Sequence, residues 1–258
     1  MKRYLIYIYV ALCANVGLQA QTFADSTVVY TKAMADSAYA EADFATAIYI
    51  YEQLLATKGE AAAVYYNLGN GYYKQGEIAR AILNYERALL IDPSNDDIKF
   101  NLELARSKAV DKNAIVTELF FVRWIRSFIT ILSAEGWAKA AILCYIILIL
   151  CLTTFIFAKN KKTKKIIFIF ALLSAISTIV ANIAAAERKE KMELRENAIV
   201  MEPSVTIRST PSVNGTELFI LHEGKKVKIK DDSMKDWKEI ELEDGNIGWL
   251  PASTIERI

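Results

Sequence analysis

The chain has 258 residues, of which 53% are hydrophobic and 24% charged, with a formal net charge of +1. A balance this close to neutral gives no electrostatic footprint for a polyanion, so no nucleic-acid partner is expected. The cysteines stand at positions 13, 144 and 151, all in apolar stretches, which excludes a disulfide framework or a thiol nucleophile in the polar regions.

Residues 1–20, MKRYLIYIYVALCANVGLQA, place Lys2 and Arg3 before a short apolar run that ends in small residues. This is the layout of a secretory signal peptide, with cleavage expected after Ala20. Leu12 stands where a lipobox needs a small residue before Cys13, so a lipoprotein anchor is not expected.

Residues 21–113 carry an internal repeat. AIYIYEQLL (47–55) and AILNYERAL (81–89) share Ala47/Ala81, Ile48/Ile82, Tyr51/Tyr85, Glu52/Glu86 and Leu55/Leu89 at a spacing of 34. Asn67-Leu68 and Asn101-Leu102 continue the period. A period of this length implies two helices per unit, and about 2.5 units fit before residue 113. Gly69 and Ala81 permit close helix approach, Gly76 supplies the turn and Pro93 stops the second helix. The stretch YYNLGNGYYKQGEIARAILNYERALLIDP resembles the tetratricopeptide repeat, through Tyr65, Leu68, Gly69, Tyr72, Ala81, Tyr85, Ala88 and Pro93. The resemblance implies an α-helical solenoid whose inward surface binds a protein segment. It puts Tyr66, Asn67, Asn70, Tyr73 and Lys74 on that surface, with Phe100 from the third unit. Tyrosine, amide and one cation suit an aromatic-lined, hydrogen-bonding groove. The same tyrosines would also serve to shield a short core.

Residues 114–135 contain LFFVRWIRSFITIL. Phe121, Trp124, Ile125, Phe128, Ile131 and Leu132 share one helical face, opposite Arg123, Arg126, Ser127 and Thr130. Too short to span, this segment is expected to lie in a membrane interface, or else to dock against the rest of the chain. Ser133 is expected to cap the next helix and Trp137 to anchor it at the interface.

A transmembrane helix is expected over 137–158 and another over 166–186, since Ala140–Ala158 and Ile166–Ala186 contain no charged residue. The loop between them, 159–165, is KNKKTKK, with five lysines in seven positions. A short lysine-rich loop stays cytoplasmic, so both ends of this two-helix transmembrane hairpin face the opposite side. Ser174, Thr178, Ala181 and Ala185 form a small-residue stripe for packing against the first span, and Asn182 is expected to bond across helices or at the interface. Residues 187–196 alternate in charge and read as a linker or solvated helix end.

Residues 197–258 change to period-two strands around Val205–Ile207, Val227–Ile229, Ile240–Leu242 and Ile247–Trp249, punctuated by Asn214-Gly215, Glu223-Gly224 and Asp244-Gly245. The segments VTIRSTPS, ELFILHEGKKVKI, DWKEIELEDG and IGWL resemble the bacterial SH3-like family, which implies an all-β barrel. The acidic-aromatic site for proline peptides is not evident. His222 is the sole histidine, and no metal spacing, phosphate loop or nucleophile motif accompanies it, so neither catalysis nor a cofactor is expected.

The whole is a multidomain membrane protein by expectation. Its order of parts resembles the BatE family, repeat proteins of the Bacteroides-type aerotolerance (Bat) operon. That resemblance implies a bacterial inner-membrane adaptor, with both folded regions periplasmic and the lipid bilayer and other Bat membrane proteins, some of von Willebrand A type, as partners. The alternative is an envelope sensor or anchor whose SH3-like domain binds peptidoglycan peptides.

Overall fold

The computed structural model describes residues 29–111 and 119–258. The expected signal peptide and residues 114–118 of the expected interfacial segment lie outside the described residues.

Among the described residues five helices form the repeat region: α1 (Lys32–Ala40), α2 (Phe44–Lys58), α3 (Ala62–Gln75), α4 (Ile78–Ile91) and α5 (Asp96–Arg106). Each starts and stops for a local reason. The side chains of Thr31, Asp43 and Asn95 accept from backbone N–H groups in the first turns of α1, α2 and α5. Gly76 ends α3 at φ +84°, a left-handed conformation that glycine adopts without penalty. Ala42, one period earlier, adopts φ +62° at the same turn, so the degenerate first unit keeps the geometry at the expense of strain. Gly69 sits under Tyr85, where a Cβ would stand 2.7 Å from the ring. Ala47, Ala81, Ile82, Tyr51 and Tyr85 are all buried, as their shared period requires.

Helix α6 (Phe120–Ile129) follows and exposes its apolar side chains, including Phe120, Trp124 and Ile125. The described residues therefore do not bury it, contrary to the docking alternative. It is fixed at one end only: Trp137 is buried, its indole N–H donates to the Ile129 carbonyl at 2.8 Å, and its ring lies 5.2 Å from that of Phe128. Trp137 is thus a packing residue beside Ala141, Ala181 and Ala184.

Helices α7 (Ala134–Phe157) and α8 (Lys161–Leu194) are long and apolar enough to cross a membrane and pack along each other. Ser133 caps α7 by accepting from the Gly136 N–H. Ser174 donates to the Cys144 carbonyl at 2.6 Å, and Ala171, Ser174, Ala181 and Ala184 are buried in the contact. Asn182 does not bond across the pair; its amide donates to the Thr178 carbonyl of its own helix. The connection is shorter than the lysine cluster: Asn160 caps α8, so Lys161–Lys165 are already helical. At the other end Glu187–Lys191 and Lys189–Glu193 pairs at i,i+4 carry the helix on through the stretch read as a linker.

Strands β1 (Asn197–Val200), β2 (Ser204–Arg208), β3 (Glu217–His222), β4 (Lys226–Asp231), β5 (Trp237–Glu241), β6 (Ile247–Pro251) and β7 (Ile255–Arg257) form one antiparallel sheet, ordered β3-β2-β6-β5-β4-β1-β7. Its core holds Val200, Val205, Ile207, Leu221, Val227, Ile240 and Leu250. Trp237 and Trp249 are half-buried. Strand β1 buries three consecutive residues, Ala198, Ile199 and Val200, because it also lies against α4 and is covered on both sides.

That contact joins the repeats to the sheet. Glu86 of α4 is buried and pairs with Arg106 of α5 and with Lys226 of β4 at 2.8 Å. Arg87 reaches Glu256 at 2.9 Å and the Arg257 carbonyl at 2.6 Å. His222 binds Asp111 through its backbone N–H at 2.6 Å and its Nδ1 at 3.0 Å. Helix α8 joins through Arg188, which donates to the Leu90 carbonyl at 2.8 Å, and through an Arg195–Glu60 ion pair.

Burial acts to raise the Glu86 pKa, but Lys226 and Arg106 outweigh it and hold the carboxyl below its ordinary value. The stabilisation is therefore complete above the unfolded glutamate pKa and is lost as pH falls through the lower folded value. Glu86→Gln should remove this part of the acid-unfolding limb and cost about 3 kcal/mol at neutral pH, where two cations lose their counter-charge. Denaturant titrations of the full chain at several pH values, read by tryptophan fluorescence, measure both. Superimposable acid profiles would contradict the assignment.

Candidate functional site

The repeat period reappears as a hydrogen-bond ladder. In the first unit Asp36 accepts from the Tyr51 hydroxyl at 2.6 Å and from the Asn67 amide at 3.1 Å. One period on, Asn70 accepts from the Tyr85 hydroxyl at 2.7 Å and from the Asn101 amide at 3.0 Å. On another face Glu52 accepts from the Tyr72 hydroxyl, and its equivalent Glu86 pairs with Arg106, the equivalent of Tyr72. Each helix thus reaches the next unit through polar groups at fixed offsets.

The ionisation of these groups follows from their partners. Burial pushes Asp36 up, but Lys32, Tyr51 and Asn67 outweigh it and leave the carboxyl below the usual aspartate range. Burial raises Tyr51, with Asp36 adding to the effect, and burial also raises Tyr85. Tyr65 and Tyr72 are pushed up to about 12, first by burial and then by Glu60 and Glu52 respectively. These phenols stay protonated and act as donors throughout the physiological range.

Beside the ladder lies a cleft of about 330 Å³ lined by Tyr39, Tyr66, Asn70, Tyr73, Lys74, Tyr85, Asn101 and Leu104. A smaller one of about 220 Å³, holding Asp36, Tyr51 and Asn67, shares Tyr39 and Asn70 with it. Four of the residues expected on the inward surface, Tyr66, Asn70, Tyr73 and Lys74, therefore line one cleft, and Asn67 lines its neighbour. Phe100 does not line either; its side chain is 70% exposed. Its equivalent Tyr66 is covered because Asn101, from the following unit, donates to its hydroxyl at 2.9 Å, and among the described residues no further repeat helix does this for Phe100.

Asn67 and Asn70 are committed to the ladder and position the helices. The groups left to meet a ligand are the Tyr73 ring and hydroxyl and the Lys74 ammonium, with the Lys108 ammonium 4.6 Å above the Tyr73 ring. Tyr39, Tyr85, Asn101 and Leu104 belong to the cleft although the sequence did not mark them as site residues. Tyr85 and Asn101 were visible as repeat-period positions, and the period itself is the signal that places them beside Asn70.

A family model for the tetratricopeptide repeat covers residues 62–95. This stretch is similar to a tetratricopeptide repeat. The match takes in α3, α4 and the turn before α5, the unit that contributes most of the cleft, and it marks a protein–protein interaction module. No curated protein matches the chain.

The ladder separates positioning residues from contact residues. Asn70→Ala leaves the Tyr85 hydroxyl and the Asn101 amide without their shared acceptor and should lower stability by about 1–3 kcal/mol. Tyr73→Ala should change it by less than half as much, because no hydrogen bond ends on its hydroxyl among the described residues. Thermal melts of the two variants followed by far-ultraviolet circular dichroism decide this, and equal losses would place Tyr73 in the core.

Proposed function

We propose that this protein is a non-catalytic, membrane-anchored adaptor whose tetratricopeptide cleft binds an extended segment of a protein partner. The observation that carries the reading is the cleft itself. Tyr73 and Lys74 line a concavity whose walls are held by the ladder, and the Lys108 ammonium lies over the Tyr73 ring, so a bound segment meets a pre-organised surface. In this reading α1–α5 are a short solenoid, α7 and α8 a transmembrane hairpin, and β1–β7 an SH3-like barrel.

The charge pattern supports an orientation. Lys159, Lys161, Lys162, Lys164 and Lys165 gather at the α7–α8 connection, and such clusters remain cytoplasmic. The repeats and the sheet then face the periplasm of a bacterial inner membrane. The exposed apolar face of α6, immediately before α7, suits the interface of the same bilayer. The order of parts resembles that of BatE-like proteins, which makes other Bat membrane proteins, including those with von Willebrand A domains, the partners to test.

A photo-crosslinking residue at Tyr73 should capture a discrete protein partner in native membranes, while one at Phe100 should not. In the same cells, with the outer membrane permeabilised, a cysteine at Asn160 should resist an impermeant thiol reagent and one at Asn214 should react. Capture at Phe100 and not at Tyr73 would move the binding surface, and reversed labelling would invert the orientation.

A further inference from the structure

Most cations of the repeat helices already have a counter-charge. Lys32, Arg80, Arg87, Lys99 and Arg106 meet Asp36, Glu77, Glu256, Asp96 and Glu86 respectively. Lys74 and Lys108 meet no carboxylate among the described residues, and both are exposed. They stand 34 residues apart, at one position of the repeat. Tyr73, beside Lys74, has its own equivalent one period back in Tyr39. Tyr39, Tyr73, Lys74 and Lys108 thus form a periodic track at the C-terminal ends of the equivalent helices α1, α3 and α5. The first three line the larger cleft, and the Lys108 ammonium stands 4.6 Å over the Tyr73 ring.

The track is rich in donors and poor in acceptors. Among the described residues the Tyr39 and Tyr73 hydroxyls make no hydrogen bond, and the Tyr66 hydroxyl accepts from Asn101 without an acceptor for its own proton. Burial, with Tyr66 adding to it, raises the Tyr39 phenol, which keeps its proton at neutral pH. Asn70 Oδ1 is filled by two donors, and no described carboxylate lines the cleft. Apart from the phenol oxygens, the side-chain acceptor left is Asn101 Oδ1.

We infer that the cleft takes an acidic segment, an extended stretch of a partner chain whose side-chain carboxylates meet Lys74 and Lys108 and accept from the free hydroxyls. This rests on the reading that the cleft binds a protein segment. A basic segment would face two uncompensated ammonium groups, and a neutral one would strip their water without replacing its hydrogen bonds. A carboxylate is supplied by a side chain or by a chain terminus. A terminus supplies one, whereas ammonium groups from two successive repeats call for two, which assigns the role to side chains.

The test measures binding of rhodamine-labelled decapeptides to the full chain in non-ionic detergent by fluorescence anisotropy. The probes are an end-blocked peptide alternating glutamate with serine, its glutamine counterpart, and that counterpart with a free C-terminal carboxylate. The glutamate peptide should bind about tenfold more tightly than either, with a preference that fades as salt rises. Lys74→Gln combined with Lys108→Gln should lower its affinity about tenfold and leave the glutamine peptide unaffected. Lys99→Gln, outside the cleft, should change neither, and unchanged circular dichroism melts verify that the variants fold. If glutamate and glutamine peptides bind equally and both weaken on Tyr73→Ala, the acidic assignment is overturned while the cleft stands. A free terminus that matches the glutamate peptide overturns the side-chain source. Failure of every peptide to bind overturns the acidic assignment, and failure of the Tyr73 crosslinker to capture a partner in membranes as well overturns the cleft reading with it.

Discussion

A carboxylate taken out of water must be met by positive charge, and Glu86 is met by two cations from different parts of the chain. Arg106 comes from the last repeat helix and Lys226 from the sheet, 140 residues away in sequence. The carboxylate is satisfied only when α4, α5 and β4 are all in place. Once they are, β1 can cover α4, Arg87 can reach the β7 edge, and Arg188 and Arg195 can tie the end of α8 to the repeats. Residues 31–258 accordingly cluster as one compact unit.

The consequence for function runs through α4. Its adjacent residues Tyr85 and Glu86 serve two different surfaces: the Tyr85 hydroxyl holds Asn70 at the wall of the cleft, while Glu86 holds the sheet. Whatever occupies the cleft is therefore one helix away from the sheet and, through Leu90 and Glu60, from the end of α8. The repeats and the sheet are not beads on a flexible tether. A short repeat array has a small core and two unprotected ends, and here the sheet and α8 supply contacts that further repeats would otherwise provide.

Much of this was legible in the sequence, and the limits have physical reasons. The 34-residue period located the helices, the uncharged runs located α7 and α8, and Asp244-Gly245 and Glu223-Gly224 located sheet turns. Glu52 and Glu86 are identical in type and repeat position, yet one is exposed and the other buried, because only Glu86 has the sheet above it. No local pattern carries that information. Strand β1 escaped the period-two reading because it is covered on both sides. Phe100 was assigned to the groove by resemblance to the repeat, which assumes a following unit to cover it. Asn67 and Asn70 were found as cleft residues but not as ladder residues, since a hydrogen bond between helices 31 residues apart is invisible to a count of residue types. Asn182 turned back on its own helix because it lies on an exposed face of α8.

The central claim is that repeats and sheet move as one body through α4. Double electron–electron resonance between spin labels at Asp97 in α5 and Val213 in the β2–β3 turn, on the full chain in lipid, tests it directly. The account predicts a single narrow distance distribution that broadens when Glu86→Ala removes the shared counter-charge. A broad distribution in the unmodified chain, unchanged by that substitution, would contradict it.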